Sequence, residues 1–88
     1  MTMSVFRITK TKSRTDQKYT QEGTLAELIK AYQYTLDTGA SWSHEKGNRK
    51  INTNPKTIKS LVTNLNNASN NAASNGYSGL SYDYEKVA

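Results

Sequence analysis

The chain has 88 residues and a mass of 9.8 kDa, enough for one small core and no separate regulatory lobe. At 34% hydrophobic and 22% charged residues, with a mean hydropathy of -0.83, it is polar yet carries periodic apolar positions, so one compact domain with a thin core is expected over 1–88. Twelve Lys and Arg against seven Asp and Glu give +5 and favour anionic partners, while the lack of cysteine excludes a disulfide scaffold, a thiolate zinc site, an iron–sulfur cluster and a cysteine nucleophile.

In chain order, Met3 to Thr11 alternates Phe6 and Ile8 with Val5, Arg7 and Thr9, the pattern of a strand with one buried face. Lys12 to Asp16 is a polar turn, and Gln17 to Glu22, with Tyr19 and Thr20, is the return arm of a hairpin whose tip is basic. Thr24-Leu25-Ala26-Glu27 is a capping box, and Leu25, Leu28, Ile29, Tyr32 and Leu36 follow on one helical face. Gly39 is read as the left-handed residue that ends this helix.

The segment 40–53 is a variable basic loop, with a partial hairpin around Lys46-Gly47-Asn48 as its alternative. Asn54-Pro55 is taken as the cap and first position of a second helix, whose apolar stripe is Ile58, Leu61, Val62, Leu65 and Ala68. The Asn/Ser-rich stretch 66–76 lowers helix propensity, so the helix is expected to fray or stop within it, with Gly76 as a C-terminal cap. Leu80, Tyr82 and Tyr84 alternate with Ser81, Asp83 and Glu85 as a last strand. The order β-β-α-(loop or short hairpin)-α-β predicts an α+β layer, a three-stranded antiparallel sheet with two helices on one face.

No apolar run reaches the ~18 residues of a membrane span, and the N-terminal stretch lacks a secretory core, so a cytoplasmic protein without membrane contact is expected. Catalytic candidates are sparse. His44 is the one imidazole, beside Glu45 in a polar loop where such a dipeptide is ordinarily just solvated. Asp83 and Glu85 share a strand face, a pairing more typical of edge protection than of acid–base work. The glycines and serines around Gly76 and Gly79 lack the lysine and threonine or serine of a phosphate-cradling loop. The expectation is a non-enzyme without metal or cofactor.

Binding candidates are richer. Lys10, Lys12, Arg14 and Lys18 form a basic cluster on the first hairpin, and Lys46, Arg49 and Lys50 a second on the loop; either suits phosphates or an acidic protein. No helix-turn-helix spacing, zinc finger or RNA-recognition aromatic signature accompanies them. Six tyrosines and one tryptophan supply contact area at low entropic cost. Tyr32 belongs to the core stripe, whereas Tyr34 falls on another face and is a contact candidate together with Tyr77. Trp42, just past Gly39, either plugs the core or anchors a partner.

The run Glu22-Gly23-Thr24-Leu25-Ala26-Glu27-Leu28-Ile29 through Tyr34-Thr35-Leu36, followed by Asn54-Pro55-Lys56-Thr57-Ile58-Lys59-Ser60-Leu61, resembles small accessory proteins of tailed bacteriophages. That resemblance covers about half the chain and carries no functional residue with it. It implies stoichiometric binding to a host protein complex that handles nucleic acid, anti-CRISPR inhibitors being one such class. Inhibitors that imitate DNA are acidic and this chain is basic, so imitation of DNA is not implied. Direct DNA or RNA contact through the basic clusters is the alternative, and a homodimer is compatible with either reading.

Overall fold

The computed structural model describes residues 3–43, 47–77 and 79–88, so His44, Glu45 and Lys46 lie outside the described residues. Phe6–Lys12 forms β1, Lys18–Gly23 forms β2, Leu25–Ser41 forms α1, Ile58–Ser74 forms α2 and Leu80–Lys86 forms β3. The three strands make an antiparallel sheet in the order β2-β1-β3, with the helices packed against it, as the alternation and the helical stripes require. Among the described residues no helix is long and apolar enough to cross a membrane.

Strand alternation decides which face each residue serves. Ile8 of β1 is fully buried opposite Gln21 and Tyr84, while its neighbour Arg7 lies on the outer face between Glu22 and Glu85. Arg7 Nε donates to Glu22 at 3.0 Å and Nη1 to Glu85 at 2.6 Å, tying all three strands together across solvent-exposed ion pairs. Such exposed pairs set register more than they add stability. The hairpin closes where Lys12 N donates to Gln17 O at 2.9 Å and Asp16 takes the left-handed conformation, φ 56°, that a short polar side chain tolerates.

Helix α1 starts as expected. Glu27 N donates to Thr24 Oγ1 and Thr24 N donates to Glu27 Oε1, completing the capping box. Leu28 and Leu36 are buried, and Tyr32 meets Tyr82 of β3 edge-on at 5.9 Å.

Two expectations are corrected. Gly39 does not end α1: the helix runs on to Ser41 and is capped by Trp42, and Gly39 lies buried inside it. A Cβ at Gly39 would stand 2.3 Å from Ala68 Cβ and 2.7 Å from Ala68 Cα, so glycine is there because α2 crosses too close for any side chain. Asn54 and Pro55 do not start α2. Thr57 is the cap, its hydroxyl accepting from Ser60 N at 3.0 Å, and Pro55 is instead fully buried ahead of the helix. Burying that ring displaces the cap to the next residue with a hydroxyl. As a loop reading expects, 47–53 contains no strand; it is a strap lying along the two helices, with Ile51 buried in the core, and the rest of the alternative hairpin around Lys46-Gly47-Asn48 lies outside the described residues.

The Asn/Ser-rich part of α2 stays helical to Ser74 because its polar side chains are occupied on two opposite faces. On one face Asn64 accepts from Asn52 N at 2.7 Å, and Asn71 accepts from Arg49 N at 2.7 Å. Asn71 also donates to Arg49 O at 2.8 Å and to Gly39 O at 3.1 Å, joining the strap, α1 and α2 at one buried amide. On the other face Asn66 donates to Tyr82 O and accepts from Tyr82 N, while the Ser69 hydroxyl donates to Leu80 O and accepts from Leu80 N. Amides that would compete with the helix in isolation here satisfy neighbouring backbone.

Candidate functional site

Tyr34, Thr38 and Trp42 recur at intervals of four along α1 and so rise along one side of the helix. Opposite them, α2 ends in a tight reversal. Gly76 takes φ 91°, Gly76 N donates to Ala73 O at 3.1 Å and Tyr77 N donates to Ala72 O at 3.1 Å, the paired bonds of a Schellman motif. The reversal carries the Tyr77 ring onto Trp42, where the two stack at 5.5 Å with 26° between planes.

The result is a groove of about 510 Å³ lined by Lys12, Tyr34, Thr38, Trp42, Ala72, Tyr77 and Leu80. It leads into a smaller hollow of about 140 Å³ between the helices and β3, with Tyr82 and Gly39 in its wall. Tyr34 is 82% exposed and Tyr77 62% exposed, whereas Trp42 is half-buried beneath them. All three aromatic contact candidates therefore meet on one groove.

The basic candidates do not stay together. Ser13 donates from both its backbone N, at 3.2 Å, and its hydroxyl, at 2.7 Å, to Gly79 O, which fastens the hairpin turn beside the segment following Tyr77. Among the described residues Lys12 thereby becomes the one charged member of the groove lining. Lys10 and Lys12 share the helix-facing side of β1 and hold their ammonium groups 5.5 and 6.0 Å from the Tyr19 ring. Arg14 is exposed in the turn, and Lys18 lies on the outer sheet face with Thr9, Thr11, Asp83 and Glu85. Arg49 and Lys50 are on the strap, on the side of α2 away from β3. Lys46 lies outside the described residues.

Of the acid–base candidates, Glu85 is held by Arg7 and Asp83 Oδ1 accepts from Tyr84 N at 2.9 Å. The deepest titratable group beside the groove is Tyr82, whose hydroxyl is pushed up to about 12, chiefly by burial and further by Tyr32. An unfolded tyrosine ionises near 10, so the contribution is fully present below about pH 10 and is lost as pH rises towards about 12, at about 1.4 kcal/mol per unit. Thermal melts from pH 8 upward should show that alkaline decline in the wild type and a shallower one in Tyr82→Phe; identical slopes would dissociate it from Tyr82.

Thr38, Ala72 and Leu80 complete the groove without a signal of their own in the sequence; only the spacing of Tyr34, Thr38 and Trp42 marks that side of α1. Compared with known proteins, the chain matches no family model, no curated protein and no solved structure.

Proposed function

We propose that this chain is a non-enzymatic accessory protein of the bacteriophage type that binds and inhibits a host complex handling nucleic acid or defence, such as CRISPR–Cas. Tyr34, Trp42 and Tyr77 form its contact surface. The observation that carries the reading is the convergence of these three rings on one groove of about 510 Å³ with an ammonium, Lys12, at its rim. Tyrosine and tryptophan around a water-excluding pocket are the usual make-up of a binding hot spot. The complementary partner segment has an apolar or aromatic side chain to enter between the rings and an acidic residue beside it to meet Lys12.

Affinity capture from bacterial lysate, with and without nuclease, tests this. The expected result is a defined protein complex that survives nuclease and is lost in Tyr34→Ala and Tyr77→Ala. Both rings are exposed, so the fold tolerates the changes, and each should cost about 2 kcal/mol of binding, roughly thirtyfold. A complex untouched by both substitutions overturns the assignment of the groove.

The position of Lys10 and Lys12 against Tyr19 beside the groove favours a second reading, phosphate recognition by Lys10 and Lys12 with Arg14 in the adjoining turn, while Lys18 on the outer sheet face and Arg49 and Lys50 on the strap stand apart from them. In that case the captured material is nucleic acid and binding falls steeply with salt, one counterion or so being released per phosphate neutralised.

A further inference from the structure

The sheet has two outer strands, and they are treated differently. On β3, the outward backbone groups are closed off over Leu80 to Tyr84: Ser69 serves both N–H and C=O of Leu80, Asn66 serves both of Tyr82, and Asp83 takes the N–H of Tyr84. On β2 nothing comparable is found among the described residues. Because Lys12 N donates to Gln17 O, antiparallel alternation makes Tyr19, Gln21 and Gly23 bond to β1 and turns the N–H and C=O of Lys18, Thr20 and Glu22 outward. The strand from Lys18 to Glu22 is exposed throughout. An open edge of this kind is a template for another strand.

We propose that β2 pairs with β2 of a second copy of this chain, antiparallel, about a twofold axis at Thr20. The argument is charge complementarity in the one register centred there. Thr20 then faces Thr20 of the second copy, and Lys18 faces Glu22 on both sides of the axis, each with its backbone groups aimed across the seam. Opposite charges and paired threonines are favourable cross-strand neighbours. Sliding by two residues parts both ion pairs, and sliding by four sets lysine against lysine or glutamate against glutamate. Glu22, held at 3.0 Å by Arg7 of its own chain, gains a cation on its other side. On the helix-facing side, Tyr19, 47% exposed, comes to lie across from Gln21 of the second copy and loses solvent. The two three-stranded sheets become one continuous sheet, β3-β1-β2-β2-β1-β3. The groove is on the β3 side of each copy and stays open, so this pairing stands independently of the proposed function.

Sedimentation velocity of the full chain over a concentration series should show a reversible monomer–dimer equilibrium that weakens with salt. Thr20→Pro removes an outward N–H that β1 does not use, so it should leave the thermal melt nearly intact and abolish the dimer. Lys18→Glu sets carboxylate against carboxylate and should raise the dissociation constant about tenfold. The charge exchange Lys18→Glu with Glu22→Lys should bring dimerisation back, and the Thr20 amide should exchange hydrogen more slowly as concentration rises. A chain monomeric throughout, or a dimer indifferent to Thr20→Pro, overturns the proposal. So does a dimer lost in Tyr34→Ala, which would place the contact at the groove.

Discussion

Asn71→Ala is expected to lower the unfolding free energy by about 3 kcal/mol, at the upper end of what one buried polar truncation does. The side chain makes three hydrogen bonds at 2.7, 2.8 and 3.1 Å, to the backbone N–H and C=O of Arg49 and to the carbonyl of Gly39. Removing it unpairs both partly buried Arg49 groups and takes a donor from the buried Gly39 carbonyl, and polar groups left unpaired away from water are costly. Asn71→Asp should be worse. A carboxylate keeps the acceptor for Arg49 N but cannot donate to either carbonyl, and it is almost wholly withdrawn from water. Urea denaturation gives the size of the effect, and amide exchange at Arg49 and Asn52 shows whether the strap is released with it. An unchanged midpoint with a protected Arg49 amide would mean that Ile51 and the bonds of Asn64 and Gln33 hold the strap without Asn71.

Gly39→Ala should be destabilising by about 2 kcal/mol or more, the opposite of what the same change does in an ordinary helix interior. Helix propensity by itself favours alanine by about 1 kcal/mol. Against that stands a methyl placed 2.3 Å from Ala68 Cβ and 2.7 Å from Ala68 Cα, an overlap relieved only by moving the helices apart. Overpacking of a core costs about 1–3 kcal/mol, and separating two helices that also carry Leu36, Leu61 and Leu65 falls at the top of that range. Ala68→Gly in the Gly39→Ala background removes the clash with the facing methyl but leaves the overlap with the α2 backbone, so it should restore only a part. A double-mutant cycle in thermal or urea unfolding reads this directly. Additive effects of the two changes would show that the helices do not cross at this pair.

The architecture was legible from residues whose message is local. Thr24 and Glu27 define a helix start wherever they occur at that spacing, and the alternation of Phe6 with Ile8 and of Leu80 with Tyr82 defines buried strand faces without reference to anything else. The reason for Gly39 is distant: nothing near it in sequence announces that Ala68 will lie against it, and a glycine late in a helix resembles a stop. The Asn/Ser-rich stretch does end α2, at Ser74 with Gly76 beyond it, but Asn64, Asn66 and Asn71 are committed to the strap and to β3, partners that exist only once the chain has folded.

The groove was half legible. The side of α1 that carries Tyr34 follows from helical geometry, but the meeting of Tyr77 with Trp42 depends on the reversal after α2 and on Ser13 holding Gly79. Likewise, the lysines of the first hairpin form one cluster in sequence, and only the pairing of Thr11 with Lys18 reveals that Lys18 belongs to the opposite face from Lys10 and Lys12.

Beside its apolar stripe, α2 is fastened to the strap and to β3 by carboxamides and hydroxyls, Asn64 and Asn71 on one side and Asn66 and Ser69 on the other. None of these groups titrates in the physiological range and none carries a charge for salt to screen. The contacts proposed above, by contrast, use charge: Lys12 at the groove, Lys18 and Glu22 along the open strand. Added salt would therefore weaken the proposed contacts and the exposed Arg7 pairs while leaving the hydrogen bonds that hold α2 in place unscreened.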